Sequence, residues 1–317
     1  MIGGGSEAAH TIGGGASSIS ASPGALPDAE LRELEKLVQE ALHSGHEAQL
    51  VVLGYGEISL VLAWPPENPR FACKRLPSFS DCLRFEQYRR TFDDYLDALR
   101  AGGVDPVPSS FRGVERPDGT VAGYVVQPVL PGSSLAPNVL TKADVTDGHP
   151  LVAAVVETAA GVVGPRIGID AQLSNWTWTA GHLGYLDVTT PMLWSAGGRP
   201  LLDVALLARP LPWLLRDPVR RFLAPRILDG YRNLRGVYLD LCGNLIKQGL
   251  EVWLPELLVH VNRHLESPMT IEEVRRYYRS DARIWAALLR VRRLDRAWQR
   301  GVRRRPYPFL LPREIQR

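Results

Sequence analysis

The period of the hydrophobic pattern changes near residue 130, and this change limits the possible folds more than any other feature. Between 50 and 128 apolar residues alternate in short runs bounded by Gly and Pro: LVVLGYGEISLVLAW, RFACKRL, then FRGVER and VAGYVVQPVL. Period two marks strands, because successive side chains leave a strand on opposite faces. The first run reads as strand, Gly turn, strand. The second reads as a third strand, and the last pair as a hairpin about Pro117-Asp118-Gly119. A helix over 80–101, ended by Gly102-Gly103, interrupts them. Another is predicted over 28–43, where Leu31, Leu34, Leu37, Val38 and Leu42 recur at helical spacing behind Asp28.

Pro128, Pro131 and Gly132 break the sheet pattern, and the rest turns mainly helical. Helices are predicted over 150–163, 217–233, 234–249, 251–265, 270–279 and 281–299. Residues 166–188 are expected to be irregular, with short β pieces in NWTWTA and HLGYLDV. The predicted class is α+β: a small antiparallel sheet with one helix, then a mainly helical half. The expected division is a Gly/Ser/Ala-rich disordered tail at 1–27, a first lobe at 28–128, a second at 129–300 and a basic tail at 301–317.

A length of 317 residues with 45% hydrophobic content suffices for a sizeable core. A net charge of +3 does not by itself imply nucleic-acid binding. Cys73, Cys82 and Cys242 are few, odd in number and without metal spacing. That argues against a disulfide framework or zinc site and fits a reducing compartment. The N-terminal stretch lacks the basic and apolar regions of a signal peptide, and no run of 18 apolar residues occurs. The expected location is the cytoplasm.

Four features carry chemistry. Gly54-Tyr55-Gly56 lies between two strands, where a Gly-rich turn lets backbone N–H groups approach phosphates. Lys74 is one of only four lysines, with Lys36, Lys142 and Lys247, in a chain that otherwise uses arginine. It shares a strand face with Ala72 and Leu76, where an ammonium needs a partner. Asp170 and Asn175 in DAQLSN offer a carboxylate to accept a hydroxyl proton and an amide oxygen for a hard cation. Asp187 ends the apolar stretch GYLDV, where a carboxylate can bridge Mg²⁺ to phosphates. Taken singly, each also has an ordinary reading: a tight turn, a solvent-facing lysine, or Asx turns.

In this order the four features resemble the protein-kinase-like superfamily: Gly-rich loop, strand lysine, hinge, D-x-x-x-x-N, metal-binding Asp. The resemblance spans about residues 50–205. GYGEIS has no third Gly, GID stands where protein kinases have His-Arg-Asp, Asp-Val-Thr replaces Asp-Phe-Gly, and no Ala-Pro-Glu follows. These departures and GGRPLLDVALLAR lean toward the branch of aminoglycoside phosphotransferases and choline kinases, although that branch's catalytic-loop His is also absent. GIDAQLSNW is similar to what a bacterial subfamily would carry.

The resemblance implies a two-lobed kinase-like fold that uses ATP and Mg²⁺. Lys74 would hold the α/β-phosphates below the Gly54-Tyr55-Gly56 turn. Glu86 would pair with Lys74, with Asp93 and Asp97 as competitors, and Gln127 to Val129 would form the hinge against adenine. Asp170 would orient or deprotonate the acceptor hydroxyl, Asn175 and Asp187 would hold Mg²⁺, and Asp203 would brace the catalytic loop. The implied function is a phosphotransferase acting on a small-molecule hydroxyl of unnamed identity. The alternative is a kinase-fold pseudoenzyme serving as a nucleotide-binding scaffold.

Three other signals lie outside this pattern. His260 and His264 have metal-capable spacing but lack the Glu of HExxH, and read as a surface pair. The basic stretch RVRRLDRAWQRGVRRRPYPF reads as an Arg-rich helix and tail, with nucleic-acid or anionic-surface contact as the other possibility. Trp176 and Trp178 read as packing around the catalytic loop.

Overall fold

Alternate residues of one strand run into two separate hydrophobic clusters, and this sets the architecture of the N-terminal half. The strand is β5 (Val121–Pro128). Val121 and Val125 join a cluster with Phe85, Tyr88 and Phe92, whereas Ala122, Tyr124 and Val126 join one with Leu31, Leu34 and Val38. The first group of partners lies on α2 (Cys82–Ala101) and the second on α1 (Asp28–Ser44). A helix therefore covers each face of the sheet. The computed structural model describes residues 25–44, 49–55, 60–208, 217, 221, 224–280 and 290–291.

The sheet is antiparallel and five-stranded, in the order β1-β2-β3-β5-β4. Its other strands are β1 (Val52–Tyr55), β2 (Leu60–Trp64), β3 (Phe71–Arg75) and β4 (Ser110–Glu115). Helix α2 starts where the Asp81 carboxylate accepts the Arg84 N–H, and stops at Gly102. On the α2 face, a Cβ at Gly123 would lie 2.6 Å from the Phe79 ring and 2.9 Å from the Phe111 ring. Glycine there lets the aromatic side chains close onto the sheet.

Helix α1 is fastened to the sheet by a buried carboxylate. Glu35 accepts from Arg75 Nε at 2.9 Å, Arg116 Nη2 at 2.6 Å, Gln39 Nε2 at 2.6 Å, and the Tyr124 hydroxyl. Burial alone pushes this carboxyl up, but the Arg75 and Arg116 guanidiniums and the Tyr124 hydrogen bond outweigh it and hold the group at about 2.

The C-terminal half carries α3 (Ala136–Lys142), α4 (Pro150–Val162), α5 (Val204–Ala208), α6 (Ala224–Tyr231), α7 (Leu234–Lys247) and α8 (Leu254–Val261). A further helix, α9, covers 271–280. Helix α4 buries Leu151, Val152, Val155, Val156, Ala159 and Val162 against α7 and α8. The α2-side cluster continues without a break into these helices, so the two halves share a core. Two short strands, β6 (Trp176–Thr179) and β7 (His182–Tyr185), form a hairpin. It turns on Ala180 at φ 52° and Gly181 at φ 83°, the paired left-handed residues that a tight hairpin requires.

The mixed class, with an antiparallel sheet first and helices after, is as expected. Several boundaries differ. The break expected near 128–135 leads straight into α3, whose only buried residues are Ala136 and Leu140, too few to form a helical pattern. Helix α5 is likewise too short to carry one. The helix expected over 251–265 is a 3-10 turn at Glu251–Trp253 followed by α8, which ends before Asn262. There the Asn262 side chain binds both the N–H and C=O of Met269 and closes a loop. Of the helix expected over 217–233, α6 is the described part. Of the tail expected at 1–27, residues 25–27 are described and Leu26 is buried against the sheet half, whereas residues 1–24, most of the helix expected over 281–299 and the basic tail at 301–317 lie outside the described residues.

Removing Glu35 leaves Arg75 buried without its carboxylate. The expected loss for Glu35→Ala is about 3–5 kcal/mol, measured by urea unfolding. The carboxyl lies at about 2 when folded against an ordinary 4.5, so its contribution is fully present above pH 4.5 and is lost as pH falls through 2. Acid unfolding of Glu35→Gln is expected to show a correspondingly weaker pH dependence across that window.

Candidate functional site

Pairing across the sheet puts Gly54 and Lys74 in one row. Gly54 pairs with Val61 and Val61 with Lys74, which pairs in turn with Val125. Directly paired residues share a face, so Gly54 and Lys74 both lie on the α2 side, two strands apart or about 10 Å. Among the described residues, nothing lies within 4 Å of where a Gly54 Cβ would be. Gly56 and the Tyr55 side chain fall outside the described residues.

The β6–β7 hairpin then brings the other residues together. Trp176 pairs with Tyr185, which sets Asn175 opposite Leu186, and the Leu186 N–H donates to the Asn175 carbonyl at 2.8 Å. Asp187 is the next residue. Lys74 Nζ reaches its Oδ1 at 2.8 Å across 113 positions of sequence. The pair is partly buried, with side-chain exposures of 17% and 30%. The Thr189 N–H donates to the same oxygen at 3.1 Å. Burial raises the Asp187 carboxyl, but Lys74 and Thr189 together hold it below the ordinary carboxylate value.

Asn175 Nδ2 donates to the Asp170 carbonyl at 3.1 Å, which leaves the amide oxygen as the atom for a hard cation. The Tyr185 hydroxyl donates to the same carbonyl at 3.2 Å. Burial pushes the phenols of Tyr95 and Tyr185 up, and the negative charges of both Asp170 and Asp187 add to that shift. Lys74, Asp170, Asn175 and Asp187 therefore belong to one neighbourhood. Mg²⁺ suits such a donor set, since it binds through one or two carboxylates and takes further oxygens from phosphates and water. Among the described residues no group of three or more His, Cys, Asp or Glu could hold a metal by itself.

The 170–175 loop is braced from α7. The Leu173 N–H donates to Asn244 Oδ1 at 3.0 Å, Asn244 Nδ2 donates to Gln172 Oε1 at 3.1 Å, and Gln172 Nε2 donates to Asp240 Oδ2 at 2.8 Å. Trp176 Nε1 donates to the Ala171 carbonyl, and the Tyr95 hydroxyl to that of Gly168. The sequence reading missed Gln172, Asp240 and Asn244. The one signal available was an Asn inside the apolar run LDLCGNL, which needs a partner when buried.

Three expected roles need correction. Glu86 bonds Arg89, at 2.6 and 2.9 Å, and Lys74 bonds Asp187 instead. Glu86 lies off the buried face of α2, which presents Phe85, Tyr88, Phe92 and Tyr95 inward; Asp93 and Asp97 are also on the exposed side. In the expected hinge, the Val129 N–H donates to the Arg70 carbonyl and is not available to adenine. Gln127 is paired with Ala72, and its side chain donates to the Leu186 carbonyl at 2.8 Å and Ser109 Oγ at 2.9 Å. Asp203 pairs with Arg84 on α2 and caps α5, so it does not brace the catalytic loop. Outside the site, His260 and His264 are both half-buried, and His264 pairs with Glu157. Trp176 is fully buried and Trp178 half-buried, as expected of packing residues.

A mixed α/β chain with this polar cluster between its sheet and its helices defines a class of architecture. The particular family follows from sequence. The chain belongs to DUF6206, a family of unknown function whose model matches residues 33–296. No curated protein sequence matches it. Among solved structures it is similar to "WaaP in complex with acyl carrier protein", at 14% identity and a TM-score of 0.33, over 75% of this chain and 92% of that one. Among the described residues, no helix is long and apolar enough to cross a membrane.

Asn244 is 4% exposed and serves both Leu173 and Gln172. Asn244→Ala removes the partner of the buried Leu173 N–H and of the part-buried Gln172 side-chain carbonyl. The expected loss is about 1–3 kcal/mol for each group left without a partner, read by thermal or urea unfolding.

Proposed function

We propose that this chain is a nucleotide-binding protein of the kinase-like kind, a phosphotransferase that takes ATP with Mg²⁺ and acts on a small-molecule hydroxyl. One observation carries the proposal: the Lys74–Asp187 bridge at 2.8 Å, with Asn175 set beside Asp187 by the hairpin. A cation and an anion held this way match an ammonium for phosphate oxygens and a carboxylate for the metal that neutralises them. The metal, when bound, offsets the negative charge of the phosphates. Lys74 keeps two N–H donors for phosphate after bonding Asp187. Among the described residues, no atom crowds Gly54 in the same row of the sheet. Asp170, on the loop braced by Asn244, would orient the acceptor hydroxyl and accept its proton. In this proposal residues 28–128 form the nucleotide-binding lobe and 129–300 the lobe carrying the loop, metal and acceptor sites.

A second reading, a nucleotide-binding scaffold without transfer, has one observation in its favour. Lys74 lacks the Glu86 partner that the resemblance implies, and its only carboxylate partner among the described residues is the one assigned to the metal.

Nucleotide binding is tested by thermal shift with ATP and Mg²⁺. Wild type is expected to be stabilised and Lys74→Ala to lose that shift; no shift for wild type at millimolar nucleotide would overturn the proposal. Asp170→Ala separates the two readings. It is expected to keep the shift while abolishing phosphate release or transfer, and a wild type that binds without any turnover would favour the scaffold.

A further inference from the structure

Glu86 does not face the site, and another residue of α2 does. Tyr88 lies two positions on, on the buried face of the helix at 5% exposure. Its hydroxyl donates to the Thr189 carbonyl, and the Thr189 N–H donates to Asp187 Oδ1. We propose that Tyr88 is the positioning residue through which α2 sets the Asp187 carboxylate for a metal-bound nucleotide. This inference rests on the nucleotide reading above.

Three observations support it. First, Lys74 Nζ at 2.8 Å and Thr189 N at 3.1 Å both donate to Asp187 Oδ1, and the Thr189 side chain also hydrogen-bonds this carboxylate. The orientation of the carboxylate thus depends on where Thr189 is held. Second, the Tyr88 ring has little freedom: its centroid lies 5.3 Å from Phe79 and 5.0 Å from Phe111, inside the aromatic cluster between α2 and the sheet. A phenol fixed by packing transmits the position of the helix to the peptide it grips. Third, Thr189 is 6% exposed, so water does not readily replace the phenol at its carbonyl. Gln127 holds the Leu186 carbonyl on the other side of Asp187, so the turn is gripped from β5 and α2 together. Loss of a group that orients a metal ligand commonly costs roughly 10–100-fold in metal affinity.

The test measures ATP binding to the full chain with and without Mg²⁺, for wild type, Tyr88→Phe, Asp187→Asn and the double variant. Tyr88→Phe keeps the ring and removes only the donor. It is expected to cut the Mg²⁺-dependent gain in affinity about tenfold and leave binding of metal-free ATP unchanged. In the Asp187→Asn background the same substitution is expected to have no further effect. An unaltered Mg²⁺ gain in Tyr88→Phe would overturn the Tyr88 assignment alone and leave the nucleotide reading intact. Equal weakening with and without metal would mean a packing role and overturn it as well. No ATP binding by wild type in either condition would overturn both. If Tyr88→Phe does not fold, amide exchange in the wild type decides. The Thr189 N–H is expected to exchange slowly without ligand, and exchange as fast as in an exposed loop would overturn the assignment.

Discussion

The ion pair between Lys74 and Asp187 is the contact around which the rest of the molecule is arranged. An ammonium on an apolar strand face is costly unless a carboxylate meets it, and the carboxylate comes from the other half of the chain. Bringing it there takes a hairpin that turns the chain back beside Asn175, a glutamine on β5 that holds Leu186, and a phenol on α2 that holds Thr189. The Lys74, Gln127 and Tyr88 contacts join the sheet half to the helical half, so the candidate site lies on the seam between them. The shared core beneath, running from Phe111 and Val125 to α4 and α7, keeps that seam in register.

A second polar centre lies on the opposite face of the sheet. Glu35 joins α1 to Arg75, Arg116 and Tyr124. Arg75 follows Lys74 directly in β3, so alternation sends one cation to each face. One meets a buried structural carboxylate, the other the carboxylate of the candidate site. The two differ in exposure: Glu35 has a side-chain exposure of 4%, against 30% for Asp187, which still has an edge facing solvent.

Much of the local structure was legible in the sequence. The strands, the Asp81–Gly102 helix and both pieces of the β6–β7 hairpin follow from period, caps and turn residues. Lys74 was legible because it is a rare lysine among alternating apolar neighbours. The helices α3 and α5 were not, since neither has the length to establish a period. The partner of Lys74 was not legible either. Glu86, Asp93 and Asp97 were all at plausible spacing on α2, and the choice depended on which face of that helix turns inward. Phe85, Tyr88, Phe92 and Tyr95 decide that face through their burial, and they point the acids away.

The sequence by itself determined the order of the strands and of the longer helices, and a list of polar residues that cannot be left alone in an apolar setting. Short-range physics suffices for these, because alternation, capping and turn chemistry act within a few residues. Only the tertiary structure decided which of those residues meet. Lys74 finds Asp187 across 113 positions, Leu173 finds Asn244, and Tyr88 finds Thr189. Such pairings depend on how helices roll against the sheet and where a hairpin turns back. Packing of the whole core sets both, and no local pattern records them.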